Sequence, residues 1–279
     1  LTDKGYSFST VKQTYNLLNE YFDYLVREEF IKKNPMNAVP TIKKSNYLAK
    51  QNKEVLPVCE TITVFTDEEI EKFKAEAYKK YPSDKPKHNQ ASAYILMLNT
   101  GLRTAEALGL INSDIDLEKK VMHIQRGVKE AQKRDGTKRK SGREIVVGKL
   151  KTASSKRIVP LNETAIQAII ELRNERYFGE DAPLIPDANG NFTRPLNLRK
   201  RFYSILDAAG IKKKDLHSLR HTFATKLVTG VRAEDGTVKA LTPRQVADLL
   251  GHTTSEITEL YYVKRNTDML MGVTNGFEL

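Results

Sequence analysis

The runs that read as strands in this chain are few and fall mid-chain, and that scarcity decides the fold class. Three short runs between Val121 and Leu161 have strand character: Val121 to Ile124, Ile145 to Val147 and Arg157 to Leu161, separated by Gly- and Lys-rich turns. They suffice for a small antiparallel sheet and are too few for a sandwich. Everything on either side is punctuated as helix, so the expected class is α+β, mainly α.

The helical punctuation is physical. Phe8, Val11, Tyr15, Leu18, Phe22, Leu25 and Val26 recur at three- and four-residue steps, with Ser7 or Ser9 as N-cap. This helix should end near Phe30, because Asn34-Pro35 and Pro40 interrupt helical geometry. A lysine-rich stretch from Lys43 to Lys53 lacks periodicity and reads as connection. Thr66 and Glu69 then stand at capping-box spacing ahead of Ile70, Phe73 and Ala77. A helix from about Gln90 to Asn99 stops at Gly101, and another carries Ala105, Leu108 and Leu110. Periodicity returns at Ile166 to Arg173 and at Leu198 to Leu206, on either side of the turn-rich stretch Asp187 to Asn191. Thr242-Pro243-Arg244-Gln245 opens a last helix that Gly251 closes. Residues 1–56 are expected to be a small helical domain, 57–63 a linker and 64–279 a second domain.

Composition narrows the class of partner. A single cysteine, Cys59, excludes an internal disulfide and a Cys-rich zinc cluster, and no apolar run is long enough to span a bilayer, so the expectation is a cytoplasmic protein without a membrane partner. The chain opens at Leu1, which suggests a trimmed fragment with a possible N-terminal module missing. Net charge is +11, and Lys119 to Arg157 alone holds 14 Lys/Arg against 3 Asp/Glu, so the whole surplus sits mid-chain. A polyanion is the expected partner. Within this stretch Lys133, Arg134, Lys138, Arg139, Lys140 and Arg143 surround Gly136 and Gly142. They read either as a solvated loop or as backbone contacts to nucleic acid.

Three of the five histidines fall between His217 and Tyr262, beside Arg220 and two adjacent tyrosines. Two arginines can clamp the non-bridging oxygens of a phosphodiester and stabilise the charge growing on it. Histidines can move protons, tyrosine is an oxygen nucleophile, and lysine can protonate a leaving alkoxide. His217 and His221 are four apart, but the Arg220 between them and the lack of a following Glu argue against zinc. Neither a metal nor a cofactor is expected.

Thr100-Gly101-Leu102-Arg103-Thr104-Ala105-Glu106-Ala107-Leu108, Lys151-Thr152 through Arg157-Ile158-Val159-Pro160-Leu161, His217-Ser218-Leu219-Arg220-His221, and Leu249-Leu250-Gly251-His252 with Tyr261 nine residues on resemble, in order, the motifs of the tyrosine recombinases, or tyrosine-type integrases. The resemblance implies a two-domain DNA clamp, with a helical core-binding domain at 1–56 and the catalytic domain at 64–279. It implies the catalytic set Arg103, Lys151, His217, Arg220 and His252, with Tyr261 as the nucleophile that forms a 3′-phosphotyrosyl bond. Lys156 is the second candidate for the lysine and Tyr262 for the nucleophile. Tyr261 and Tyr262 differ by about 100° around a helix, so both cannot face one phosphate.

The expected DNA contacts are Lys43, Lys44, Lys133, Arg134, Lys138, Arg139, Lys140, Arg143, Lys156 and Arg157. Expected partners are double-stranded DNA, at element ends and target site, further copies of the chain as a dimer to tetramer on DNA, and an excisionase or DNA-bending accessory protein. Residues 263–279 are expected to dock on a neighbouring protomer. The implied function is integration and excision of a mobile element, a conjugative transposon or a prophage, through a Holliday junction. Chromosome-dimer resolution and a non-catalytic DNA-binding accessory protein are the alternatives.

Overall fold

The computed structural model describes residues 5–49, 63–136, 138–149, 156–232 and 238–252, which are mainly α with small antiparallel sheets. The chain divides into two compact units, Leu1–Pro57 and Val58–Leu279. Among the described residues no helix is long and apolar enough to cross a membrane.

In the first unit, helix α1 (Phe8–Arg27) begins where Ser7 Oγ accepts the N–H of Thr10 at 3.2 Å, which selects Ser7 over Ser9 as the cap. It stops three residues before Phe30, because Glu29 adopts a left-handed φ of 60°. Asn34 then caps a 3-10 turn, Pro35–Ala38, and its amide reaches back to Asp23 Oδ1 at 2.7 Å. The lysine-rich stretch departs from expectation by forming a short helix, α2 (Lys44–Ala49). Its anchor is Tyr47, buried against the Phe8 ring at 5.6 Å, with its hydroxyl donating to the Tyr6 carbonyl. Val11, Met36 and Tyr47 are the buried apolar residues here, a thin core for a helix this long.

The second unit is built around one helix. Thr66 and Glu69 form the reciprocal capping box that starts α3 (Asp67–Ala77). The central helix α4 (Ser92–Thr100) is buried on nearly every side, which is why its apolar residues show no one-sided stripe. Each of its buried Ile, Leu and Met side chains contributes about 1.5–3 kcal/mol. After Gly101 comes the short helix α5 (Thr104–Gly109).

Strands β1 (Ile115–Asp116) and β2 (Val121–Ile124) follow, then β3 (Arg126–Asp135), β4 (Lys138–Lys149) and β5 (Arg157–Pro160). Antiparallel β1-β2-β5 is the expected small sheet. The Ile145–Val147 run does not join it; it lies in a long two-stranded ribbon of β3 and β4, with Glu130 opposite Ile145 and Val128 opposite Val147.

Helices α6 (Glu163–Glu175), α7 (Pro195–Ala208) and α8 (His217–Thr229) complete the main core, before β6 (Val231–Arg232), β7 (Val238–Lys239) and α9 (Pro243–Leu250). Phe65, Phe73, Tyr94 and Phe202 meet in tilted and edge-on pairs, Tyr94 and Phe202 at 5.4 Å, and fasten α3, α4 and α7 together. A smaller cluster of Ala224, Val246 and Leu250, with Phe223 and Leu227 against it, holds α9 on α8. The Phe65 N–H donates to Thr222 Oγ1 at 2.8 Å, and Lys214 Nζ donates to the Val64 carbonyl at 3.0 Å. The chain entering this unit is thereby tied to α8.

Candidate active site

Three helix termini meet in this unit, two of them within the Thr100 to Leu108 motif and the third leading into His252. Gly101 ends α4 with a left-handed φ of 63°. A Cβ there would lie 2.5 Å from Phe223 Cδ1 and 2.7 Å from Leu250 Cδ2, so only glycine lets α4, α8 and α9 approach this closely. Arg103 occupies the N-cap position of α5. Gly251, again left-handed at φ 65°, ends α9 and turns the chain into His252, whose N–H returns to the Ala247 carbonyl at 2.9 Å.

The arginines are set by what these termini leave unpaired. Carbonyls at a helix C-terminus have no intrahelical donor and carry the negative end of the helix dipole. Arg220, buried at 1% exposure, donates from Nη1 to the Gly101 carbonyl at 2.7 Å and from Nη2 to the Leu250 carbonyl at 2.8 Å, bridging the ends of α4 and α9. Arg103 Nη1 approaches the same Leu250 carbonyl at 3.4 Å. Arg157 donates from Nε to the Leu249 carbonyl at 2.7 Å. Three guanidinium groups thus converge on the last turn of one helix.

The counter-ion of Arg103 and Arg157 is Glu106. Its carboxylate, 2% exposed, accepts the Arg103 N–H at 2.9 Å and Arg103 Nη1 at 2.8 Å, and takes Arg157 Nη1 and Nη2 at 3.2 and 3.0 Å. Burial alone would push this carboxyl up; the Arg157 hydrogen bond and charge, then those of Arg103, outweigh it and leave it below the usual carboxylate range. Arg103 remains 35% exposed, and its Nε and Nη2 carry no hydrogen bond among the described residues. Those donors suit an anion arriving from outside.

The histidines complete the cluster in neutral form. His217 is exposed on its outer side and sets its ring edge-on to His221 at 4.6 Å. Burial, and then the charge of Arg220, lowers His217. Burial followed by the His217 charge holds His221 down to about 4. Burial followed by the charges of Arg220, Arg103 and Arg157 holds His252 down to about 4. At neutral pH these rings are uncharged, able to donate or accept one hydrogen bond, and an incoming phosphate would favour their protonation.

Arg103, His217, Arg220 and His252, expected as one set, are therefore gathered at one place; Lys151, Tyr261 and Tyr262, with 263–279, lie outside the described residues. Among the expected DNA contacts, Lys43, Lys44, Lys133, Arg134, Arg143 and Lys156 are exposed, and the side chains of Lys138, Arg139 and Lys140 fall outside the described set. Arg157 is a correction. Its side chain is 7% exposed and bound to Glu106 and Leu249, because β5 pairs Arg157 with Ile124 on the core face and turns Ile158, 58% exposed, to the outside. Glu106 was missed as the hub. Its position, three residues past an arginine that caps a helix, was the available signal.

The motif pattern of the phage integrase family matches residues 63–268. The chain belongs to this family. The tyrosine-recombinase resemblance drawn from the motifs holds at this level. Among similar proteins, a tyrosine recombinase XerC-like protein of Caldanaerobacter subterraneus subsp. tengcongensis is 32% identical over 277 residues, which cover 94% of this chain and 64% of that protein. The transposase from transposon Tn916 of Enterococcus faecalis is 23% identical over 288 residues, covering 97% and 62%. This phage-integrase chain thus spans a little under two thirds of the length of both relatives. In fold it is similar to the Tn1549 transposon integrase in complex with a circular-intermediate DNA, at TM-score 0.72 and 20% identity over 99% of this chain and 81% of that one. A lambda integrase dimer bound to a core site is also similar, at TM-score 0.56 and 14% identity over 92% and 74%.

Proposed function

We propose that this chain is a site-specific DNA recombinase that cuts and rejoins strands through a tyrosine-linked intermediate. The observation that carries this reading is the meeting of Arg103, Arg220, His217 and His252, drawn from three separated motifs, with Arg103 donors open to an anion. Arg103 and Arg220 hold the scissile phosphate and stabilise the charge of its transition state; His217 and His252 bind its oxygens and handle protons. Tyr261 Oη attacks phosphorus, the bond to the 5′-oxygen breaks, and Lys151 supplies the proton to that oxygen. Attack by another strand's 5′-hydroxyl reverses the chemistry, returns the tyrosine and completes the exchange. The phosphotyrosyl ester retains the bond energy, so the cycle needs no nucleotide.

The first unit acts as the core-binding half of a DNA clamp, with 57–63 as linker and 64–279 as the catalytic half; copies assemble on DNA with 263–279 docked on a neighbour. The biological role is integration and excision of a mobile element, in keeping with similarity to the Tn916 transposase along 97% of the chain. The higher identity of the XerC-like relative, 32%, favours a second reading, chromosome-dimer resolution.

The test is trapping on nicked duplexes carrying element ends or a dimer-resolution site, followed by denaturing electrophoresis. A denaturation-resistant adduct lost in Tyr261→Phe and kept in Tyr262→Phe is expected, on element ends. Loss only in Tyr262→Phe reassigns the nucleophile, and adducts on the resolution site alone establish the second reading. Specific binding without any adduct overturns the catalytic reading.

A further inference from the structure

The geometry points to Arg157 as a positioning residue of the cleavage centre, one that touches no DNA and acts by holding Glu106 and the end of α9 so that Arg103 keeps its outward donors. The inference deepens the recombinase reading and rests on it for its kinetic consequence.

Glu106 is a buried carboxylate with two guanidinium partners, and it must be neutralised wherever the chain folds. Arg157 supplies a two-pronged pair, Nη1 to Oε1 and Nη2 to Oε2, from a side chain almost wholly out of solvent. With that pair in place Arg103 need give Glu106 only Nη1 and its backbone N–H. Take Arg157 away, and Arg103 is the remaining guanidinium able to satisfy the carboxylate; it turns inward and its open donors leave the phosphate position. The third Arg157 donor, Nε, fixes the Leu249 carbonyl, three residues before His252. One planar fork therefore sets the aim of Arg103 and the seat of His252. Lysine, with one compact charged head, cannot make these three directed bonds. The placement of Arg157 on the core face of β5, opposite Ile124, prevents it from reaching a duplex and serving both ends at once.

Arg157→Met keeps the volume and removes the fork. Two measurements decide the matter, the first without DNA. Followed by NMR, His252 in the native chain titrates well below an ordinary histidine, and in Arg157→Met its midpoint moves up; an unmoved midpoint in a variant with native-like spectra overturns the inference. The second uses the duplex on which the native chain forms its adduct. Arg157→Met binds it with unchanged affinity and salt slope but cleaves in single turnover on the order of 10²-fold more slowly. Arg157→Met slows cleavage by less in an Arg103→Ala background than in the native chain, because only the His252 arm of its effect is left to lose. Multiplying defects, or a salt slope reduced by about 1 as for a lost phosphate contact, would refute the assignment. If the native chain forms no adduct, the recombinase reading fails on its own, and the His252 titration still decides whether Arg157 organises the cluster.

Discussion

The β3–β4 ribbon and the Arg103–Glu106–Arg157–Arg220 cluster draw on the same residue type and use it in opposite ways. On the ribbon Arg143 is 67% exposed and meets Glu130 only at 3.8 Å. In the cluster Arg157 and Arg220 are almost fully enclosed, and their bonds to Glu106, Gly101, Leu249 and Leu250 lie between 2.7 and 3.2 Å. An exposed ion pair contributes little, whereas a buried guanidinium whose partner is removed is costly. A local excess of positive charge in the sequence therefore mixes two populations. Arg126 also belongs to the inner one, paired to the buried Asp114.

The largest expected effect tests the enclosed side. Glu106→Ala strands two guanidinium groups and should lower unfolding free energy by about 3–5 kcal/mol, read as a shift in urea midpoint at constant slope. Arg220→Ala should follow at about 3 kcal/mol, because it takes the side-chain donor from the Gly101 carbonyl and leaves the Leu250 carbonyl only the long 3.4 Å approach of Arg103, around a void. A loss under about 1 kcal/mol in either would erase the distinction between the regions.

Acid comes next. His221 and His252 are held down to about 4 in the fold, so as pH falls from the ordinary histidine range toward 4 the unfolded chain binds more protons and stability declines. Glu76 extends that decline. Hydrogen bonds from Lys79 and then Lys87 lower its carboxyl to about 2, a contribution present above the ordinary carboxylate range and lost as pH falls toward 2. Urea midpoints between pH 7.5 and 5 should drop in the native chain and drop less in His252→Gln. The smallest change in stability belongs to the ribbon. Lys133→Ala with Arg134→Ala should stay within about 0.5 kcal/mol of native stability while lowering the salt slope of DNA binding by roughly 0.9 for each lost phosphate contact.

Much of this was legible in the chain because helices announce their ends. Ser7, Thr66 and Thr242 accept the expected backbone N–H groups, and Gly101 and Gly251 take the left-handed conformation of a helix stop. The Arg103 and His252 motifs were readable for the same reason, since both residues sit directly beside such stops. Strand β3 was hidden because Lys129, Glu130, Gln132, Lys133 and Arg134 carry no apolar alternation; its pairing is with β4, in a ribbon largely exposed beyond Val128. Helix α2 was hidden because one buried tyrosine anchors it, with no repeating face to display. Arg157 was misread because hydrophobicity and burial are exchanged with its neighbour. Period two along β5 places it beside Val159, inside, and leaves Ile158 outside.

The acceptors that hold Arg220 are main-chain oxygens, of Gly101 and Leu250, and one of those that hold Arg157 is the Leu249 oxygen. A mutation can replace a side chain but cannot delete a carbonyl. Half of the lock is thus written in a form that genetic drift does not erase, and a randomised library at Leu249 should return many functional residues where one at Gly101, hemmed in by Phe223 and Leu250, returns almost none.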